Sequence, residues 1–403
     1  MPKSWRWPLF LSGLILLSQG FPLPSPVRDA STGNWVSGFT LHLPRLYILF
    51  APFCGIADRL TLLSYHQAIV FLVYLVAGSF IFLRVRQAGA LLGTFIVYLA
   101  WVILIPHPQA RLAAKDSDTL LIDFHSHTSF SHDGRKYFIP FTPERNMRWH
   151  ADQGYGAAFI TDHNLIDASK IAKEISRKNW QRTGYRSLEG EEASLYKTHL
   201  VILGVHEKID NRPYDSDPAK VKVFISDMHK KHIPVIASIP EYWWYHWDGS
   251  PLGTYADFIT WGIDGFEIIN SAPKALDFPP SYRHRIVELC WERNLPITGV
   301  SDNHGWGYAT ATWNAMKIPG WRDLDPDQLE AVVIQNIKLR GFSAVQVLQR
   351  ARFNPRRFRG FLASPVLNAG IYWRSLTGPE VVSWLAWIWM GWFLCRKRRN
   401  VGT

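Results

Sequence analysis

Hydrophobic residues are arranged along this chain in two unlike ways. From Leu60 to Leu83 there is no Lys, Arg, Asp or Glu; after Arg84-Val-Arg86-Gln87 a second apolar run covers Ala88 to Ile105. Neither run has a polar face, and each approaches the ~20 residues that cross a ~30 Å hydrocarbon core. Both are predicted to be transmembrane helices, near 60–83 and 88–105. Trp7–Leu17 follows Lys3 and Arg6 and reads as an uncleaved signal anchor near 7–20, because Gln19-Gly-Phe-Pro lacks a small-residue cleavage pattern. Val381–Cys395 is apolar, tryptophan-rich and stopped by Arg396-Lys-Arg-Arg399, which suits a last membrane helix with interfacial tryptophans. Leu46–Ile56 is too short to span and is expected to be interfacial or re-entrant.

From about Asp118 the pattern changes to short apolar strands alternating with amphipathic helices. Strands are predicted at Leu120–Phe124, Gly156–Thr161, Pro234–Ser238, Gly265–Ile269 and Ile297–Ser301. Helices are predicted after Thr142-Pro143, over Pro218–Lys231 and Ser281–Arg293, and after Asp325. This rhythm implies β/α units, in an open parallel sheet or a barrel. The organisation expected is a membrane region over 1–106, a β/α domain over 107–370 and a membrane helix with a basic tail over 371–403.

Charge sharpens this division. The 403 residues hold 44 Lys and Arg against 33 Asp and Glu, a net +11. Residues 1–106 carry +5 of it and 371–403 carry +4, which leaves only +2 for 107–370. The basic character therefore belongs mainly to the membrane-flanking ends, as the positive-inside bias requires. Arg84–Gln87, the Lys3/Arg6 end and the basic tail are expected in the cytoplasm, with 107–377 on the periplasmic side of a bacterial inner membrane. A strand-tracking nucleic-acid groove is usually strongly basic, so the +2 balance gives nucleic-acid binding no support. A hydrophobic share of 47 % excludes intrinsic disorder, and three cysteines exclude a disulfide scaffold.

Polar residues gather where the predicted strands end. His125-Ser-His127 and Asp133 follow the first; Asp162-His163, Glu191-Glu192 with His199, and Asp302-Asn-His304 follow later ones. Loops at the carboxyl ends of strands in a β/α barrel meet on one rim. Imidazoles and carboxylates collected there suit Zn²⁺, Mn²⁺ or Fe²⁺, and a carboxylate can bridge two ions. Any one of these pieces could be a hydrogen-bonded loop; four of them in this order point to a metal centre.

Together the motifs carry a family resemblance. Asp123-Phe-His-Ser-His-Thr-Ser-Phe-Ser-His-Asp-Gly134 resembles the first motif of the PHP (polymerase and histidinol phosphatase) family. Phe159-Ile-Thr-Asp-His-Asn164 resembles its second, Glu189-Gly-Glu-Glu192 its glutamate motif, and Val300-Ser-Asp-Asn-His304 its last. The resemblance covers roughly 118–310. It implies a distorted (β/α)₇ TIM-like barrel, here flanked by transmembrane helices, with two or three divalent metals and a phosphoester substrate. The implied ligands are His125, His127, Asp133, His163, Glu192, His199, Asp302 and His304. His206 is a rival to His199, and His132 is expected to line the site or face solvent. Asp162, His163 and Asp302 are expected nearest the chemistry, Asp162 either orienting His163 or capping a helix. Ile239 stands where the family has a histidine and cannot bind a metal. One metal position is then short of a ligand, or takes one from Glu241 or His246.

Some residues stay open on sequence alone. Glu267 reads as a paired strand-end carboxylate in preference to a support for a ligand. Tyr242–Trp247 reads equally as a wall of the site or as a loop on the bilayer, and Trp306 as a pocket residue. Arg283, His284 and Arg285 read as solvated helix positions. The function expected is a membrane-anchored, metal-dependent phosphoesterase acting on a small molecule. A non-catalytic metal-binding sensor or scaffold and a nuclease are the alternatives.

Overall fold

The computed structural model describes residues 5–136, 139–196, 198–238, 255–278, 280–305, 307, 309–355 and 358–400. Ile239, Glu241, Tyr242–Trp247 and Trp306 lie outside them. The chain divides into two compact units. One comprises Met1–Pro26, Leu41–Ala110 and Ala351–Thr403; the other comprises Val27–Thr40 and Arg111–Arg350.

The second unit is built on a curled ten-stranded mixed sheet. Its strands are β1 (Val27–Asp29), β2 (Thr119–Asp123), β3 (Ala157–Ile160), β4 (Arg186–Leu195), β5 (Thr198–Leu203), β6 (Val235–Ser238), β7 (Gly265–Asn270), β8 (Ile297–Val300), β9 (Thr312–Lys317) and β10 (Gln346–Arg350). Their order is β1-β10-β9-β2-β3-β4-β5-β6-β7-β8. β2, β3 and β4 run parallel, as do β6, β7 and β8. The strands are buried on both faces, as their near-continuous apolar runs require. Leu120, Ile122, Phe159, Val201, Phe266 and Val300 form part of one continuous core.

A purely parallel β/α succession does not hold. β5 lies antiparallel to both β4 and β6, and β9 and β10 are antiparallel additions beside β2. The physical reason is connection length. Only Tyr196 and Lys197 separate β4 from β5, which permits a hairpin and no crossover. The curl brings the edge strand β8 back to β2 and β9. Asn314 of β9 replaces a missing ladder there: its Nδ2 donates to Ile122 O (2.9 Å) and Gly299 O (2.6 Å), and its Oδ1 accepts from Gly299 N (2.7 Å). A Cβ on Gly299 would lie 2.4 Å from Thr312 Oγ1 and 2.5 Å from a Val347 methyl, so this approach needs glycine.

The flanking helices begin where their caps are. Thr142 caps Pro143–Gln153, which ends at Gly154 in the left-handed region (φ 95°). Asp217 caps Pro218–Lys230, and Asp325 forms a capping box on Pro326–Arg340. Helix Asp167–Thr183 is tied to Pro326–Arg340 by buried Lys173, whose Nζ lies 2.9 Å from Glu330 Oε1 and 3.0 Å from Asp327 Oδ1.

The first unit is helical: Arg6–Ser18, Arg45–Leu49, Ala51–Thr61, Tyr65–Phe82, Val85–Leu104, Phe358–Arg374 and Gly378–Asn400. The apolar run from Leu60 is not one helix. Ala51–Thr61 ends at Leu62, and Ser64 opens the next helix with a capping box to Gln67. The local reason is that Ser64 and Gln67 satisfy the free backbone N–H groups of a new helix start. Tyr65–Phe82 and Val85–Leu104, of 18 and 20 residues, are long and apolar enough to cross a membrane, and most of their surface is uncovered. Arg6–Ser18, with 13 residues, is shorter. It packs through Ile15 against Tyr372, Val381 and Ile388.

Candidate metal centre

β2 ends at Asp123, and the chain continues through His125 and His127, both fully buried. Asp123 braces this turn and is not a ligand. Its Oδ1 accepts from Ser301 N (3.1 Å) and its Oδ2 meets His150 Nε2 at 3.0 Å. The loop after β8 is knitted to the same turn, because Asp302 N donates to His125 O (3.0 Å) and His127 N donates to Asn303 O (3.1 Å). Two motifs some 175 residues apart thus share one backbone scaffold, and neither can move alone. Asp302 has a left-handed backbone (φ 45°), a strained conformation of the kind held at functional sites.

The side chains meet around Glu192 of β4. Its Oε2 lies 3.1 Å from His125 Nε2, from His127 Nε2 and from His163 Nδ1, and its Oε1 lies 3.1 Å from His199 Nδ1. His199 reaches the site because it pairs with Ser194 across the β4–β5 hairpin. On the open side Asp133 Oδ2 lies 2.8 Å from His304 Nε2 and 3.2 Å from His163 Nε2. Asp302 Oδ1 lies 3.2 Å from His127 Nε2. All eight residues named as ligands on sequence are therefore brought into one cluster. His206 is elsewhere, exposed beside Glu189 and Glu330. His132 is exposed with its ring 4.9 Å from that of His163.

The cluster fits divalent cations. His127, Asp133, His163 and His304 offer four donor atoms within 4.8 Å of one another; His125, His127 and Glu192 offer three, as do His163, Glu192 and His199. Two ring nitrogens, His125 Nε2 and His127 Nε2, face each other at 2.9 Å, an arrangement without a cation between them only if a proton is shared. Buried His127 Nδ1 has no hydrogen-bond partner among the described residues. Such orphaned groups are costly unless something binds them. Among the described residues no lysine or arginine pairs with Asp133, Glu192 or Asp302. The donor set of imidazoles and carboxylates suits Zn²⁺, Mn²⁺ or Fe²⁺.

Electrostatics within the cluster are those of charges deprived of water. Burial drives the His125 pKa down, but Glu192, Glu267 and Asp302 reverse this and leave it well above its ordinary value. His163 shows the opposite balance: burial holds it down at about 4, a neutral ring ready to donate a lone pair. Burial raises Glu192, yet His125, His163 and His199 pull it well below the carboxylate range.

Two residues do other work than the sequence suggests. Asp162 does not orient His163 and caps no helix. Its Oδ1 and Oδ2 accept from Thr128 N and Thr128 Oγ1, both at 2.6 Å, and its nearest site ring is His127, at 3.8 Å. The threonine after the His-x-His motif offers two donors at once, and the carboxylate is spent on them. Glu267, read as an ordinary strand-end acid, accepts from His125 Nδ1 at 2.7 Å and so turns Nε2 toward the cluster. Burial pushes Glu267 up to about 7, against the pull of His125. Asn270, which sequence reasoning passed over, donates to Asp302 Oδ2 at 2.9 Å and leaves Oδ1 for the centre. The signal for both was present: Glu267 and Asn270 lie in the strand Gly265–Asn270, whose end opens on the same rim.

Carboxylates behind ligating histidines typically contribute 10- to 100-fold to metal affinity. Glu267→Gln is accordingly expected to weaken Mn²⁺ binding by about 10- to 100-fold in a chelator competition assay. Unchanged affinity would mean that His125 needs no charged acceptor on Nδ1.

No protein-family model and no curated protein matches the chain. Solved structures similar to it include a candidate metal-dependent phosphoesterase from Bifidobacterium adolescentis, 16 % identical, over 55 % of this chain and 96 % of that one, with a TM-score of 0.34. An amidohydrolase from Chromobacterium violaceum, solved with sulfate and no metal, is 14 % identical over 51 % and 98 % of the two chains, with a TM-score of 0.33. PsfC from Pseudomonas syringae is 16 % identical over 63 % and 99 %, with a TM-score of 0.36.

Proposed function

We propose that this chain is a membrane-anchored, metal-dependent phosphoesterase of the PHP type, its sheet unit a distorted (β/α)₇ barrel. The observation that carries the reading is the convergence of three imidazole nitrogens on a single buried carboxylate oxygen, Glu192 Oε2, each at 3.1 Å. The motifs quoted above for the family resemblance all contribute to this one cluster. His125, His127, Asp133, His163, Glu192, His199, Asp302 and His304 would hold two or more divalent ions. Bound there, such ions supply Lewis-acid polarisation of a phosphoryl group and make a water molecule acidic enough to act near neutral pH.

The chain's own groups prepare the site. Glu267 Oε1 holds the His125 proton on Nδ1, and Asp302 O holds the His304 proton on Nδ1 at 3.0 Å, so both rings present Nε2 inward. Thr128, fastened by Asp162, fixes the loop that carries His127 and Asp133. Asp302, anchored by Asn270 through Oδ2, keeps Oδ1 for the metal centre. Asp133, one-third exposed, together with His304 and His199, marks the side from which substrate enters.

The reading extends to topology. Tyr65–Phe82 and Val85–Leu104 span the inner membrane, the basic segments lie in the cytoplasm and the sheet unit faces the periplasm. A panel of phosphomonoesters and phosphodiesters with Mn²⁺, Zn²⁺ or Fe²⁺ tests the activity. Turnover of at least one class is expected, and its absence despite bound metal would favour a sensor or scaffold. Added protease is expected to cut the sheet unit in intact spheroplasts, and protection would defeat the orientation.

A further inference from the structure

One cation near the centre is not used by it. Arg283 lies in the first turns of helix Pro280–Arg293, which follows β7. By its sequence position it should be solvated. It is instead half-buried: Nη1 donates to Gln349 Oε1 at 3.1 Å, and Nε is buried with no hydrogen-bond partner among the described residues. Burial pushes its pKa down to about 10, and no described carboxylate pulls it back. A guanidinium with its Nε out of water and no counter-ion among the described residues is costly to hold. Its Nε–Nη2 edge, the side-on face that takes carboxylates and phosphates in bidentate fashion, is uncommitted among the described residues.

The sheet register places this group on the metal rim. Gln349 pairs with Thr312 across β10 and β9, and Asn314 pairs with Ile122 across β9 and β2. Gln349 is therefore level with Phe124, the residue before His125. Two strand spacings of about 5 Å put it about 10 Å along the rim from β2. The connection is rigid. Arg350 N donates to Ala311 O (2.8 Å), Ala311 N donates to Ser271 Oγ (3.3 Å), and the neighbouring Asn270 holds the ligand Asp302 (2.9 Å).

We propose that Arg283 is a second anion-binding position of the same site, taking a phosphate or carboxylate of the substrate other than the scissile ester. It is a specificity residue, binding a part of the substrate that does not react. The inference rests on the phosphoesterase reading and narrows it to substrates with two anionic groups.

The test uses the full chain in detergent with Mn²⁺, Zn²⁺ or Fe²⁺ and two probe series, α,ω-alkanediol bisphosphates of increasing length and the matching monophosphates. The measured quantity is the ratio of kcat/KM for bisphosphate over monophosphate at each length. In the wild type this ratio is expected to peak at one length, at about tenfold or more, the scale of one charge-assisted contact. Arg283→Gln should flatten the peak, and Arg283→Lys should restore part of it. A purely structural role would lower both probes together and leave the ratio unmoved, which overturns the proposal. So does a wild-type ratio without a peak. Should neither series be hydrolysed with any of the three metals, the phosphoesterase reading itself fails and this inference goes with it.

Discussion

Glu192→Gln is expected to reduce metal-dependent hydrolysis of an aryl phosphate by about a thousandfold or more, since the several kcal/mol that metal ions contribute to a transition state translate into that factor. Glu192 is the one carboxylate whose two oxygens reach four imidazoles, His125, His127 and His163 through Oε2 and His199 through Oε1. Glutamine keeps the shape but removes the negative charge and turns one acceptor into a donor facing ring nitrogens. His127→Ala should be as damaging, because His127 takes part in two of the three donor groups that make up this cluster, whereas Glu189, His206 and Glu330 form a separate one. His206→Ala, at a residue outside the cluster, should leave turnover within about twofold, as surface substitutions usually do. Retention of activity in Glu192→Gln would mean that the chemistry occurs without this cluster.

The second large effect concerns stability. Removing divalent ions is expected to lower the unfolding temperature of the full chain by about 10 °C. A ligand present at a thousand times its Kd stabilises a fold by about 4 kcal/mol, and each kcal/mol moves the transition of a unit this large by about 2–4 °C. The structure supplies the reason. Stripped of cations, the centre must hold Glu192, Asp302, His125, His127 and His163 out of water, with His127 Nδ1 unbonded. Differential scanning calorimetry with and without EDTA, followed by Mn²⁺ replenishment, measures this. A transition unmoved by EDTA would show that the cluster does not depend on bound ions.

Much of the cluster was legible because its candidate ligands fall in short windows at strand ends. His125, His127 and Asp133 occupy nine consecutive positions, and Asp302 and His304 occupy three. What a ligand is bonded to behind the metal is another matter. Glu267 lies 142 residues from His125, and Asp162 is 34 residues from Thr128. Neither pairing leaves a local trace, since each depends on which strands become neighbours. The same holds for the sheet. Parallel β/α units announce themselves by alternation, whereas β9, β10 and β1 were invisible as antiparallel partners until β9 was seen beside β2. In the helical unit the continuous apolar run from Leu60 hid a helix start. Ser64 and Gln67 carry the capping-box signal, but it is masked by the hydrophobicity on either side. Arg283 shows the reverse case: a residue that reads as solvated becomes informative only through the register that sets it on Gln349.

The account depends on cations being gathered by residues distant in sequence. Elemental analysis of the full chain, loaded with Mn²⁺ and then desalted, tests this most directly. At least two ions per chain are expected in the wild type, from the overlapping donor groups around His127, His163 and Glu192, and fewer than one in a folded His127→Ala/Glu192→Gln variant. A wild-type chain holding less than one ion, or a double variant holding as many as the wild type, would contradict it.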